Sequence, residues 1–128
     1  MYIEISTFVF TTLIGVTIIF HLLLLFGMPW GEATMGGKYK GKLPIKMRIV
    51  SFISILILLL FAIIVLVKAN ILWNHFKSYT EIGIWFVVGY LALGIVMNTI
   101  TPSKIERKIW VPVTVLLFVT SLIVALAE

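Results

Sequence analysis

One imidazole in this chain stands where chemistry is expected. His21 lies in the apolar run "IGVTIIFHLLLLF", about a turn and a half from the end of that run on a 1.5 Å rise per residue. Imidazoles exchange protons near neutral pH and also donate or accept hydrogen bonds. An ionisable side chain inside an apolar run is a functional candidate by default, because placing it there is costly. The plainer role is glue. A hydrogen bond from His21 to Asn98 or to a helix carbonyl would contribute about 0.6 kcal/mol on average in a membrane bundle. No second group has the spacing of a catalytic partner, so the residues leave open whether the protein is an enzyme.

The elements that must position His21 are membrane helices. Of 128 residues, 62% are hydrophobic and 12% charged, with a mean hydropathy of +1.20. Soluble domains are about half apolar and about a quarter charged. Four apolar runs are each long enough to cross roughly 30 Å of hydrocarbon, which takes about 20 residues. The pattern predicts an all-α, antiparallel four-helix transmembrane bundle, one domain over 1–128, with helices at approximately 4–27, 47–72, 81–100 and 104–127. The first run is expected to be retained: "MYIEIST" has no Lys or Arg, and no small-residue cleavage site follows. The absence of cysteine excludes thiolate catalysis, thiolate metal sites and disulfides, and leaves the redox compartment unread.

Charge sets the expected orientation. Lys38, Lys40, Lys42, Lys46 and Arg48 flank the first connection, and Lys104, Arg107 and Lys108 the third, against Lys68 and Lys77 at the second. Short loops rich in Lys and Arg stay cytoplasmic, so loops one and three are expected inside and both termini outside. The same bias disfavours small fluoride channels, which insert in both directions. Small proton-coupled exporters need a carboxylate deep in the first helix, whereas Glu4 is near its outer end. Trp30, Trp73, Trp85 and Trp110 fall at run ends, as an aromatic belt requires. Lys68 is expected to snorkel to head groups. The net charge of +5 mostly expresses this topology; it implies no nucleic acid, and points loop one at anionic lipid head groups.

Given that topology, several polar groups share the depth of His21: Asn98, Ser51, Ser54, Trp110 and Thr114. Tyr90, Gly94 and Asn98 recur every fourth residue and make one face, expected to point inward. Thr7, Thr11 and Gly15 make a similar stripe on the first helix. The loop "GMPWGEATMGGKYKGKLP" is too rich in glycine and apolar residues for a solvated linker. It is expected to cap a cytoplasm-facing pocket lined by His21, Trp30, Glu32, Asn98 and Trp110, with Glu32 or Arg107 setting a ligand's charge. Ser103 and Glu106 have capping-box spacing, with the Glu106 carboxylate reaching back to the Ser103 amide. Pro112 is expected to kink the fourth helix.

Two motifs fail on inspection. A phosphate-binding loop needs Gly, four residues, then Gly-Lys and Ser or Thr. Counted from Gly31, Lys38 comes one place late, and Tyr39 replaces the hydroxyl. A weaker site remains, in which Gly36 and Gly37 amides with Lys38 hold one phosphate-bearing head group. No metal site is implied, since His21 and His75 are expected at opposite faces, and a haem shared by two His21 residues across a dimer has little behind it. No cofactor is indicated. A homo-oligomer is compatible with the chain.

At "HLLLLFGMPWGEATMGGKYKGKLP" the sequence resembles a group of small bacterial four-helix integral membrane proteins. They share a His near the end of the first helix, then Pro-Trp-Gly, Gly-Gly and Leu-Pro; the pattern continues at Met47–Arg48 and as "SKIERKIWVPV". The resemblance implies the fold and a bacterial inner membrane, and no activity. The expected function is binding of a small amphipathic or lipid-like ligand in the capped pocket. The alternatives are an oligomeric transporter or channel, a membrane enzyme using His21 for proton transfer, and a structural partner subunit.

Overall fold

A computed structural model of the chain describes residues 2–71 and 74–127. Four helices account for most of them: α1 (Tyr2–Leu25), α2 (Ile45–Lys68), α3 (Lys77–Ile100) and α4 (Lys104–Leu126). Short 3₁₀ turns at Gly31–Ala33 and Met35–Gly37 occupy loop one, and another at Asn74–Phe76 leads into α3. All four helices are long and apolar enough to cross a membrane. At most 39% of the apolar stretch of any helix is buried inside the protein, which leaves every helix an apolar face turned outward. Phe8, Phe52, Leu56, Phe86, Leu93 and Leu116 are exposed there, as lipid contact requires.

The helix ends have local causes. Gly27, at φ +99°, closes α1 with the paired bonds of a Schellman cap: Met28 N to Leu23 O at 2.9 Å and Gly27 N to Leu24 O at 3.1 Å. Asn70, at φ +66°, closes α2 in the same way, through Ile71 N to Leu66 O at 3.0 Å and Asn70 N to Val67 O at 3.1 Å. The second helix therefore ends at Lys68, short of the expected 72. Leu72 and Trp73 lie outside the described residues. The third helix starts at Lys77, earlier than the expected 81, because the polar segment "KSYT" is its first turn rather than a linker. Ser103 caps α4, accepting from the Glu106 amide at 3.1 Å. The helix continues through Pro112, whose ring faces outward.

The helices close a ring in which α1 packs on α2 and α4, and α3 on α4 and α2; the α2–α3 seam is the least extensive. The apolar core is not centred. Phe10, Phe61, Val65, Ile84, Val87 and Val124 fill the half of the bundle remote from loop one. Lys68 closes that end. The sequence predicts that it snorkels outward, but it is 2% exposed. Its ammonium donates to the Ala127 carbonyl at 2.7 Å and lies 3.9 Å from Glu81. The carbonyls at the end of α4 carry the negative pole of that helix, which holds the cation in place of head groups. The stripe at Thr7, Thr11 and Gly15 does not form a close helix contact as a unit. A side chain at Gly15 would meet nothing within 4 Å, and the Thr11 hydroxyl bonds back to its own helix at Thr7 O.

Candidate functional site

The half of the bundle under loop one holds a cavity of about 200 Å³ instead of a packed core. Every helix contributes to its wall. His21, Phe20 and Thr17 come from the last turns of α1, and Ser54 and Leu58 from α2. Asn98, Gly94, Leu91 and Tyr90 come from α3, and Glu106, Trp110, Thr114 and Leu117 from α4. Thr34 of loop one reaches the same space. All three residues of the face expected to point inward reach the cavity, but only Gly94 and Asn98 are turned in; Tyr90 is 52% exposed at its edge. A Cβ on Gly94 would lie 3.2 Å from the Thr114 methyl, so glycine there lets α3 and α4 approach closely.

A chain of hydrogen bonds fixes the α3–α4 wall. The Asn98 amide donates to Thr114 Oγ1 at 3.0 Å, and the Thr114 hydroxyl donates to the Trp110 carbonyl at 2.6 Å. Asn98 makes this bond to Thr114 and none to His21. His21 Nδ1 is buried and has no hydrogen-bond partner among the described residues; the same holds for the Ser51 hydroxyl. The glue assigned to His21 through Asn98 is therefore made by Asn98 and Thr114 alone.

Loop one caps the cavity through three bonds to the start of α4. Trp110 Nε1 donates to the Ala33 carbonyl at 2.8 Å. The Ser103 hydroxyl donates to the Glu32 carbonyl at 2.6 Å. The Gly36 amide donates to Glu106 Oε2 at 3.3 Å. The capping box is thus only half formed. Ser103 accepts from the Glu106 amide, but the Glu106 carboxylate is turned to Gly36, and the Ser103 amide donates to Thr101 Oγ1 at 3.3 Å instead. Phe20 joins the cap from below, with its ring stacked on Trp30 at 6.3 Å and edge-on to Trp110 at 4.8 Å.

Of the six expected ligand contacts, His21, Asn98 and Trp110 line the cavity. Trp30 acts one layer out, through Phe20. Glu32 is exposed and lines a separate cleft of about 360 Å³ on the outer side of loop one, with Lys40, Ser103 and Lys104. Arg107 is also outside the cavity wall: its guanidinium donates to the Thr101 carbonyl at 2.6 Å and satisfies the end of α3. Neither Glu32 nor Arg107 is placed to set a ligand's charge in the cavity. At the expected head-group site both glycine amides are engaged from within, Gly36 by Glu106 and Gly37 by the Thr34 carbonyl at 2.9 Å. The Lys38 ammonium is the part of that trio left to meet a head group.

Glu106 is a cavity-lining group that the sequence flags for a different reason. Capping-box spacing marks it as structural, whereas the fold buries it to 7% exposure and sets it in the cavity wall. Phe20 and Thr34 carry no signal in sequence; one is an aromatic in an apolar run and the other a polar loop residue. No protein-family model, no curated protein and no solved structure matches the chain.

Proposed function

We propose that this chain is a small multi-pass protein of a bacterial inner membrane that binds an amphipathic, lipid-like ligand in the cavity beneath loop one. The observation behind this reading is His21 Nδ1, an unpartnered buried atom in the wall of a cavity of about 200 Å³. A buried polar atom left unsatisfied costs about 1–3 kcal/mol, and native proteins keep few of them. A polar group on a ligand would relieve that cost. Loop one lies on the cytoplasmic side in this reading, where Lys38, Lys40, Lys42, Lys46 and Arg48 meet anionic head groups.

Native mass spectrometry of gently extracted protein tests the reading. The wild type is expected to retain a bound small molecule. A His21→Leu variant is expected to lose it while keeping its helical content and thermal stability, since Leu removes the unsatisfied atom. Equal retention by both proteins takes His21 out of the site; absence of any retained molecule from the wild type counts against binding itself. The enzyme alternative draws on Glu106 standing in the same cavity as His21. It would appear as a mass change in the retained molecule that His21→Leu abolishes.

A further inference from the structure

The cavity is polar at one end and apolar at the other, in the same sense as a lipid. Thr34, His21, Asn98 and Glu106 lie at its loop-one end, and Leu58, Leu91 and Leu117 at its deep end. On α4 the span from Glu106 to Leu117 is roughly 16 Å at 1.5 Å per residue, about half of the hydrocarbon thickness. The cavity therefore runs from the interface to near the midplane.

Loop one is fastened over its polar end by the Trp110, Ser103 and Glu106 bonds, so a ligand from the bilayer must pass the side wall. Tyr90 is the exposed residue among those lining the cavity, at 52% exposure. It stands on α3 with its ring edge-on to Phe61 of α2 at 5.1 Å. Half-buried Ser54 and Ile57 face the same space from α2. This is the α2–α3 seam, the thinnest of the ring, and at Tyr90 the cavity wall reaches the outer surface of the bundle.

The charge of the lining then selects the head. Among the described residues no Lys or Arg lines the cavity, and Glu106 is its one carboxylate. Arg107, next to Glu106 in sequence, is turned to the Thr101 carbonyl, and Arg48 to the Leu43 carbonyl at 3.0 Å, and neither lines the cavity. A phosphate or carboxylate head would lie beside Glu106 with no counter-charge, and like charges brought together in a desolvated site cost several kcal/mol. Building on the binding function proposed above, we infer that the ligand is a single-chain amphiphile that enters from the bilayer between α2 and α3 at Tyr90. Its head is a neutral or cationic hydrogen-bond donor, a hydroxyl, amide or amine, and not an anion.

The test presents the wild-type protein, in phosphatidylcholine nanodiscs, with four amphiphiles of one chain length carrying alcohol, amine, carboxylate and phosphate heads. Bound mass is read by native mass spectrometry. The alcohol and amine are expected to be retained about tenfold or more over the two anions. Glu106→Gln is expected to lower retention of the amine relative to the alcohol. Equal or better retention of the carboxylate or the phosphate overturns the charge assignment and leaves the binding function standing. Retention of none of the four, with no endogenous molecule bound, overturns both. Ile57→Trp narrows the seam and is expected to slow uptake several-fold; an unchanged rate overturns the lateral route alone.

Discussion

Glu106 accepts a hydrogen bond from the Gly36 amide at 3.3 Å, joining the first turn of α4 to the middle of loop one. With the Trp110–Ala33 and Ser103–Glu32 bonds it makes loop one a fastened cap over the cavity rather than a free connector. Removing the Glu106 carboxylate leaves the Gly36 amide unpaired. Hydrogen bonds to charged groups contribute about 1.5–3 kcal/mol. Glu106→Ala is expected to speed tryptic cleavage after Lys38, Lys40 and Lys42 by about tenfold or more, with helical content unchanged. Glu106→Gln, which keeps an acceptor, is expected to fall between. A cleavage rate unaltered in Glu106→Ala would show that the other two bonds hold the cap alone.

Two glycines of loop one separate strain from crowding. Gly37 has φ +73° and Gly41 φ +79°. A Cβ at Gly37 would lie 2.7 Å from the Ser103 Cβ, whereas at Gly41 it would meet nothing within 4 Å. Left-handed backbone costs a non-glycine residue about 1–2 kcal/mol. Gly41→Ala should lose about that much in thermal or denaturant unfolding. Gly37→Ala should lose clearly more, because Ser103 must also shift and the Glu32 bond goes with it. Equal losses would mean that the loop relaxes away from α4 at no cost.

Lys68 is expected to resist chemistry that its neighbours in sequence type accept. At 2% exposure, with its ammonium on the Ala127 carbonyl, it should be acylated far more slowly than exposed Lys40 by a water-soluble amine reagent. Peptide mass spectrometry reads the ratio. Lys68→Ala should destabilise the bundle by about 1–3 kcal/mol, since the last carbonyls of α4 lose their donor. Rapid labelling of Lys68 would restore the snorkelling lysine expected from sequence.

Orientation is directly measurable because the chain has no cysteine, so single cysteines can be introduced without removing others. Lys40→Cys should react with a membrane-impermeant maleimide only after the inner membrane of spheroplasts is opened. A cysteine at Lys77 should react in intact spheroplasts. The opposite pattern would invert the topology and place the cavity cap outside.

Fold class and membrane character follow from composition alone. Runs of this length and hydropathy cannot be covered by 128 residues, and a helix is the unit that satisfies its own backbone in lipid. The starts of α2 and α4 were legible within two residues, because Pro44, Pro102 and Ser103 act locally. So was the shared face of Tyr90, Gly94 and Asn98, a matter of helical period. The glycine-rich loop was legible as a cap for the same kind of reason: its composition suits packing against a bundle mouth.

The fold alone decided the partners. Glu106 bonds Gly36 rather than Ser103, Asn98 bonds Thr114 rather than His21, Arg107 closes α3, and Lys68 turns inward to Ala127. Each of these side chains has several acceptors or donors of equal chemistry within reach of some fold, and spacing along the chain does not rank them. Packing does, by bringing residues from 6 to 70 positions apart to hydrogen-bond distance. It also left the half of the bundle around His21 unfilled. An apolar core forms where Phe10, Phe61, Val65 and Val87 interlock, and a cavity remains where Thr17, Gly94, Asn98 and Thr114 stand among the larger side chains of its wall.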